Sequence, residues 1–191
     1  MFIQKKKYYL FIENTRDLNL NLIKIRNKFN IIYRNNKNSE KVNYINKFRT
    51  NCKQKGIRFF IANNTKLLSK VKADGLYISA HNKNLRLNSY KNKGYFIIGS
   101  AHSQKEINLK IKQGCSEIVF SRLFKTNYEN KKGCLGIQKF NVVSLRSMTK
   151  LIPLGGINSK NLLKLKSVKC SSFACLSAIK KKPANLINRL F

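Results

Sequence analysis

The sequence predicts an α/β protein in which eight parallel strands alternate with helices and close into a barrel. Three observations lead there. Short β-branched or aromatic runs recur along the whole of the 191 residues. Amphipathic polar stretches separate them, the order typical of parallel α/β folds. The runs number eight, and eight strands in strict alternation with helices close most naturally into a TIM barrel. A doubly wound open sheet is the alternative.

Along the chain, the strands are expected at 8–12 (YYLFI), 30–33 (NIIY), 58–62 (RFFIA), 75–79 (GLYIS), 95–99 (YFIIG), 117–121 (EIVFS), 151–154 (LIPL) and 172–176 (SFACL). Helices are expected between and after them, at 18–28, 39–55, 65–72, 104–113, 137–148, 159–166 and 183–190. Several start at Ser, Thr or Asn, whose side chains accept from the unpaired N–H groups of a first helical turn. Only the connection after the fourth strand, 81–93, lacks a convincing helical pattern, so that helix is expected to be short or missing. No linker, low-complexity tail or composition shift divides the chain, and 1–191 reads as one domain, large enough to bury a core without disulfides or metals.

Composition limits the function classes. The 40 Lys and Arg against 7 Asp and Glu give a formal charge of +33, which suggests polyanion binding through counterion release. The lysines are spread along the whole chain, however, and no RNA-binding signature, zinc-finger spacing or basic tail accompanies them. Specific nucleic-acid recognition is therefore not expected, although weak binding at low salt is. Apolar runs such as Tyr8 to Ile12 and Tyr95 to Ile98 are far shorter than the roughly 20 residues that span a bilayer, which argues against a membrane protein. The first residues pass directly into an apolar strand with no cleavage site, the pattern expected of a cytoplasmic protein. Cys52, Cys115, Cys134, Cys170 and Cys175 show no C-x-x-C spacing and read as reduced, structural thiols.

In such a barrel the functional residues lie in the loops after the strands. After strand seven comes Pro153-Leu154-Gly155-Gly156-Ile157-Asn158, and after strand eight Leu176-Ser177-Ala178-Ile179. Glycines let a backbone approach an anion, and free N–H groups at a helix start attract it. Gly155, Gly156, Ser177 and Ala178 are thus the expected phosphate cup. His102 and His81 are the only imidazoles. His102 is expected at the turn before a helix, and His81 on the surface. Glu13 and Glu129 are the carboxylates expected nearest the mouth, while Asp74 belongs to the turn entering strand four at the opposite face.

Further motifs carry a resemblance. Ala73-Asp74-Gly75-Leu76-Tyr77-Ile78, Ser100-Ala101-His102-Ser103 followed by Glu106, Gly114 through Thr126, Leu135-Gly136 with Phe140, and the two cup segments occur in an order and spacing similar to the thiamin phosphate synthase/TenI family. The resemblance implies a transfer that joins a hydroxymethylpyrimidine diphosphate to a thiazole phosphate and releases diphosphate. It implies catalytic or diphosphate contacts for Arg34, Ser100, Thr126 and Arg122, and substrate contacts for Asn64, Asn82 and His102. It also implies a magnesium site, but the family's aspartates are replaced by Asn63-Asn64 and Asn82 here, so no metal ligand is assigned. Arg122 stands where the synthases have proline and the tautomerases a histidine, and a guanidinium cannot shuttle a proton at neutral pH, which disfavours tautomerase chemistry. The partners implied are phosphorylated small molecules, and a homo-oligomer stays open. A noncatalytic phosphate or thiamin-precursor binder on the same barrel is the alternative function, with a basic nucleic-acid-associated protein behind it.

Overall fold

The computed structural model describes residues 7–23, 27–35, 40–126, 133–158 and 160–175. Eight strands run in the order of the chain: β1 (Lys7–Ile12), β2 (Phe29–Tyr33), β3 (Arg58–Ala62), β4 (Gly75–Ile78), β5 (Phe96–Ala101), β6 (Glu117–Ser121), β7 (Lys150–Leu154) and β8 (Ser172–Cys175). Each pairs in parallel with the next, and β8 closes on β1 through Tyr8↔Phe173 and Tyr9↔Ala174. The sheet is a closed (β/α)8 barrel, as the alternation predicts.

The period of two along each strand sorts the core into two layers. Tyr9, Phe11, Ile32, Phe60, Tyr77, Ile98, Val119, Ile152 and Ala174 form one buried cluster, drawn from all eight strands and filling the lumen. Phe11 and Tyr77 meet edge to face across it, with ring centroids 5.3 Å apart. Toward the bottom of the lumen the Tyr9 hydroxyl donates to Glu117. The alternate residues, among them Tyr8, Ile31, Phe59, Leu76 and Phe120, face outward and join the larger apolar cluster. Each such Phe or Ile removed from water contributes about 1.5–3 kcal/mol.

The outer helices are α1 (Val42–Gln54), α2 (Thr65–Lys70), α3 (Ser89–Asn92), α4 (Gln104–Lys112) and α5 (Gly136–Arg146). α1 buries Ile45, Phe48 and Cys52, one face at helical spacing. α4 opens with a reciprocal cap: Ser103 accepts from the Glu106 N–H at 3.3 Å, and Glu106 accepts from the His102 N–H at 2.5 Å.

Two connections differ from the sequence expectation and one agrees with it. In place of a helix at 18–28, the described part of the segment forms a 3-10 turn at Leu20–Leu22, preceded by another at Thr15–Asp17. Its Leu-Asn-Leu-Asn repeat buries Leu18, Leu20 and Ile23, and Asn19 accepts from the Asn21 N–H at 2.9 Å, a local bond that competes with helix. After β7 the expected helix is a 3-10 stretch, Leu162–Ser167, because Asn158 and Asn161 make turn bonds with each other's backbones. After β4 a 3-10 turn, Leu85–Asn88, runs into the single turn of α3, the short helix expected there. Residues 183–190 lie outside the described residues.

The loop after β4 is held from beneath by a buried cation. Lys110 of α4 is fully buried, and its ammonium donates to the carbonyls of Ser79 and Asn82 and to Gln113 Oε1, each at 2.8 Å. Three acceptors match the three protons, which offsets the burial that lowers this lysine's pKa. Gln113 Nε2 then donates to the Asn82 and Asn84 carbonyls at 3.0 Å.

Burial makes the fold sensitive to alkali. It pushes the thiols of Cys52, Cys115 and Cys175 from 9.0 up to about 12, Tyr33 from 10.0 up to about 12, and Tyr9 and Tyr77 upward as well. Folded pKa values raised above unfolded ones mean that stability is fully present below about pH 9. It is lost as pH climbs toward 12, by up to about 1.4 kcal/mol per group and pH unit. Lys110, lowered from 10.5, acts in the opposite sense, but it is one group against six. The melting temperature should therefore fall steadily between pH 9 and 12; a flat profile across that window would contradict this packing.

Candidate functional site

The mouth at the C-terminal ends of the strands is organised by two loops that continue the β6–β7 pairing beyond Ser121↔Leu154. The Leu123 N–H donates to the Leu154 carbonyl at 2.9 Å, and the Phe124 N–H to the Gly155 carbonyl at 3.0 Å. Gly155 and Gly156 have φ of +103° and +68°, a region that L side chains rarely occupy. A Cβ on Gly156 would lie 2.3 Å from the Lys125 carbonyl oxygen and 2.7 Å from the Phe124 carbonyl carbon, and one on Gly155 would lie 3.0 Å from Arg122 Cγ. The close approach that sequence reasoning assigned to an anion is thus first an approach of backbone to backbone. Outside the strand ladders, no backbone acceptor among the described residues is paired with the Gly155 or Gly156 N–H.

Beside this seam lies a pocket of about 210 Å³. Tyr77 and Ala174 reach it from the lumen, and Ser100, Ser121, Leu154 and Cys175 from strand ends. Arg34, His81, His102, Arg122, Thr126, Gly155, Gly156 and Ile157 complete the lining. The pocket thus carries two guanidinium and two imidazole groups, and no carboxylate is in its described lining. An anion about 4 Å from one guanidinium gains about 4 kcal/mol at an effective dielectric near 20. Arg122 Nη1 donates to Thr126 Oγ1 at 3.2 Å, which orients both. His102 Nδ1 lies 2.8 Å from Ser121 Oγ, so a proton can be held between them. Burial pushes the Tyr77 phenol up, against the opposing Ser100 hydrogen bond and Arg34 charge, and keeps it a neutral donor.

The structure therefore brings Arg34, Ser100, His102, Arg122, Thr126, Gly155 and Gly156 to one pocket. His81, expected on the surface, is exposed and also lines it. Asn64 and Asn82 are not in that lining. Asn64 caps α2, accepting from the Leu67 N–H at 2.9 Å, and Asn82 donates to Asn63 Oδ1 at 3.2 Å. Ser177, Ala178 and Glu129 lie outside the described residues. Glu13 follows β1, where its N–H donates to Asp17 at 2.8 Å, and it does not reach the pocket. Asp74 serves the opposite face, accepting from the Phe59 N–H at 2.8 Å and pairing with Arg49 at 3.1 Å. Sequence reasoning missed Ser121 and Cys175, although both stand at the ends of strands it identified.

A magnesium ion does not fit the residues of the loops after β3 and β4. Asn63, Asn64 and Asn82 bring no charge, and the oxygen of each already accepts from a backbone N–H: that of Ser79, Leu67 and Asn84 respectively. Among the described residues no three or more of His, Cys, Asp and Glu are grouped so as to hold a metal. No helix among them is long and apolar enough to cross a membrane.

Fold and pocket together define the class, a (β/α)8 barrel with a polar cleft at the C-terminal ends of its strands. The chain belongs to the thiamine monophosphate synthase (TMP-TENI) family, whose model matches residues 4–179. It is 30% and 28% identical to the thiamine-phosphate synthases of two strains of Prochlorococcus marinus, each over 129 residues and 67% of this chain. It spans 37% of the length of both relatives. A thiamine phosphate pyrophosphorylase from Pyrococcus furiosus superposes with a TM-score of 0.77 at 16% identity, covering 98% of this chain and 94% of that one. At that identity the likeness shows the fold.

The seam makes a distinction that can be measured. Gly156→Ala meets both an unfavourable φ and neighbouring backbone, whereas Gly133→Ala, at φ +80° with nothing within 4 Å, meets only the first. The left-handed conformation costs about 1–2 kcal/mol and overpacking a further 1–3. Urea denaturation should show the larger loss for Gly156→Ala; equal losses would mean that the two loops do not touch.

Proposed function

We propose that the barrel binds phosphorylated small molecules at this mouth and carries out a thiamin-phosphate-synthase-type transfer. In that reaction the carbon–oxygen bond between the pyrimidine's methylene carbon and its diphosphate breaks. Diphosphate leaves with the electron pair, and the thiazole nitrogen of a thiazole phosphate supplies the pair for the new carbon–nitrogen bond. The demand on the protein is to stabilise separating charge, not to abstract a proton with a strong base. The observation that carries the reading is the pocket's donor set, two guanidinium groups, neutral hydroxyls and glycine N–H groups in a chain of this family.

In this reading Arg34 and Arg122 neutralise the diphosphate, the arginine fork matching phosphate oxygens. Ser100 and Thr126 donate to the leaving group. The Gly155 and Gly156 amides take the thiazole phosphate together with Ser177 and Ala178. The His102–Ser121 pair and Tyr77 border the reacting centre as hydrogen-bonding groups. Asn64 and Asn82 are engaged in holding their loops, and no substrate contact is assigned to them.

A second reading, binding of the same ligands without turnover, is favoured by the amides at positions 64 and 82, where the resemblance implies aspartates. The purified chain incubated with hydroxymethylpyrimidine diphosphate and thiazole phosphate decides between the two. Thiamin phosphate and diphosphate should form in equal amounts, and Ser100→Ala or Arg34→Met should lower the rate by about 10²–10³. Saturable binding of both precursors with no product would establish the second reading, and absence of binding would remove both.

A further inference from the structure

Resting on the proposed phosphate-ligand reading, we infer that this mouth holds a diphosphate group with arginine guanidiniums and no metal ion. The case begins on the β3–β4 side. Asn63 and Asn82 are bonded to each other and to the loop after β4, and Asn64 caps α2. Asn63 Oδ1 accepts from the Ser79 N–H at 3.1 Å and from Asn82 Nδ2 at 3.2 Å, Asn63 Nδ2 donates to Ser79 Oγ at 3.0 Å, and Asn82 Oδ1 accepts from the Asn84 N–H at 3.0 Å. Asn64 Oδ1 is taken by the Leu67 N–H at 2.9 Å. These amide oxygens serve the loops' own backbone and bring a dication no charge, and both lone pairs of Asn63 Oδ1 are taken.

The space beneath this loop already contains a cation. The Lys110 ammonium sits 2.8 Å from the carbonyls of Ser79 and Asn82, with Gln113 Oε1 as its third acceptor. A magnesium ion beside the Asn82 side chain would be repelled by this fixed positive charge. The backbone carbonyls of Ser79 and Asn82 are meanwhile oriented toward Lys110.

Across the pocket, positive charge is instead built in. Arg122 is fixed along the glycine seam, its Cβ and Cγ about 3 Å from where a Cβ on Gly155 would stand, and its guanidinium donates to Thr126 Oγ1 at 3.2 Å. Arg34 lines the same pocket from the end of β2. Two planar forks suit an anion with two adjacent phosphoryl groups, and a pair of fixed charges needs no ion to complete it.

Calorimetric titration of the full chain with inorganic diphosphate, in a chelator and again in excess magnesium chloride, tests this inference. One site should fill in the chelator, at a Kd at least as tight as with magnesium. Arg34→Met and Arg122→Met, which keep an apolar stem, should each weaken it at least about tenfold. Lys150→Met, an equal charge change at the exposed start of β7, should leave it unchanged. Binding that appears only with magnesium would overturn the inference and leave the proposed transfer standing. Binding that survives both arginine changes would overturn it by placing the anion elsewhere on the basic surface. No binding of diphosphate in either buffer would overturn the inference and count against the proposed function with it. Circular dichroism melts of the variants separate lost binding from lost fold.

Discussion

The contact on which the mouth depends is the backbone seam between the loops after β6 and β7. Two hydrogen bonds, Leu123 to Leu154 and Phe124 to Gly155, carry the pairing beyond the strand ends. The distance this imposes leaves no room for a Cβ at Gly156. With that seam closed, Arg122 lies along Gly155, Thr126 stands within reach of its guanidinium, and Gly155 and Gly156 line the pocket. Position, more than residue type, sets this charge apart: most of the described lysines and arginines are exposed, where solvent screens them within about 8 Å at physiological salt.

The opposite wall follows a different logic. In the loops after β3 and β4 the groups that could have been acidic are amides, bound to each other and to backbone. A buried lysine holds their carbonyls in place of any carboxylate. A pocket whose described lining holds no carboxylate would repel an anion less, and a lysine with three neutral acceptors keeps the loop in place without adding negative charge. The seven acidic residues of the chain do structural work instead where the structure describes them most fully: Asp74 ties β3 to α1, Glu106 caps α4, and Glu40 accepts from the Thr15 N–H and the Tyr33 hydroxyl.

Much of this architecture was legible in the sequence. Strands buried on both faces read as continuous apolar runs, and all eight lie within a residue or two of where those runs place them. The glycine pair was legible from its place after the seventh run and Arg34, Ser100, His102, Arg122 and Thr126 through the family resemblance, and the structure brings all of them to one pocket. What misled was local. Asparagine-rich segments at 18–28 and 158–161 look amphipathic at helical spacing, yet their side chains bond the backbone within two or three residues and favour turns. Asn64 and Asn82 stood at the right strand ends, but their oxygens accept from backbone two or three residues on, at Leu67 and Asn84, and Asn82 Nδ2 donates across to Asn63. Ser121 was passed over as the last residue of an apolar run, although its inward orientation follows from the same alternation that places Val119 in the lumen.

The central claim is that the seam presents its amides to an anion. Backbone amide chemical shifts followed during titration with inorganic phosphate test it most directly. The account predicts saturable shifts at Gly155 and Gly156, together with the Arg122 side-chain N–H groups, at phosphate concentrations where the amides of exposed lysines such as Lys91 and Lys150 do not move. Shifts spread evenly over the basic surface, with Gly155 and Gly156 unaffected, would contradict it.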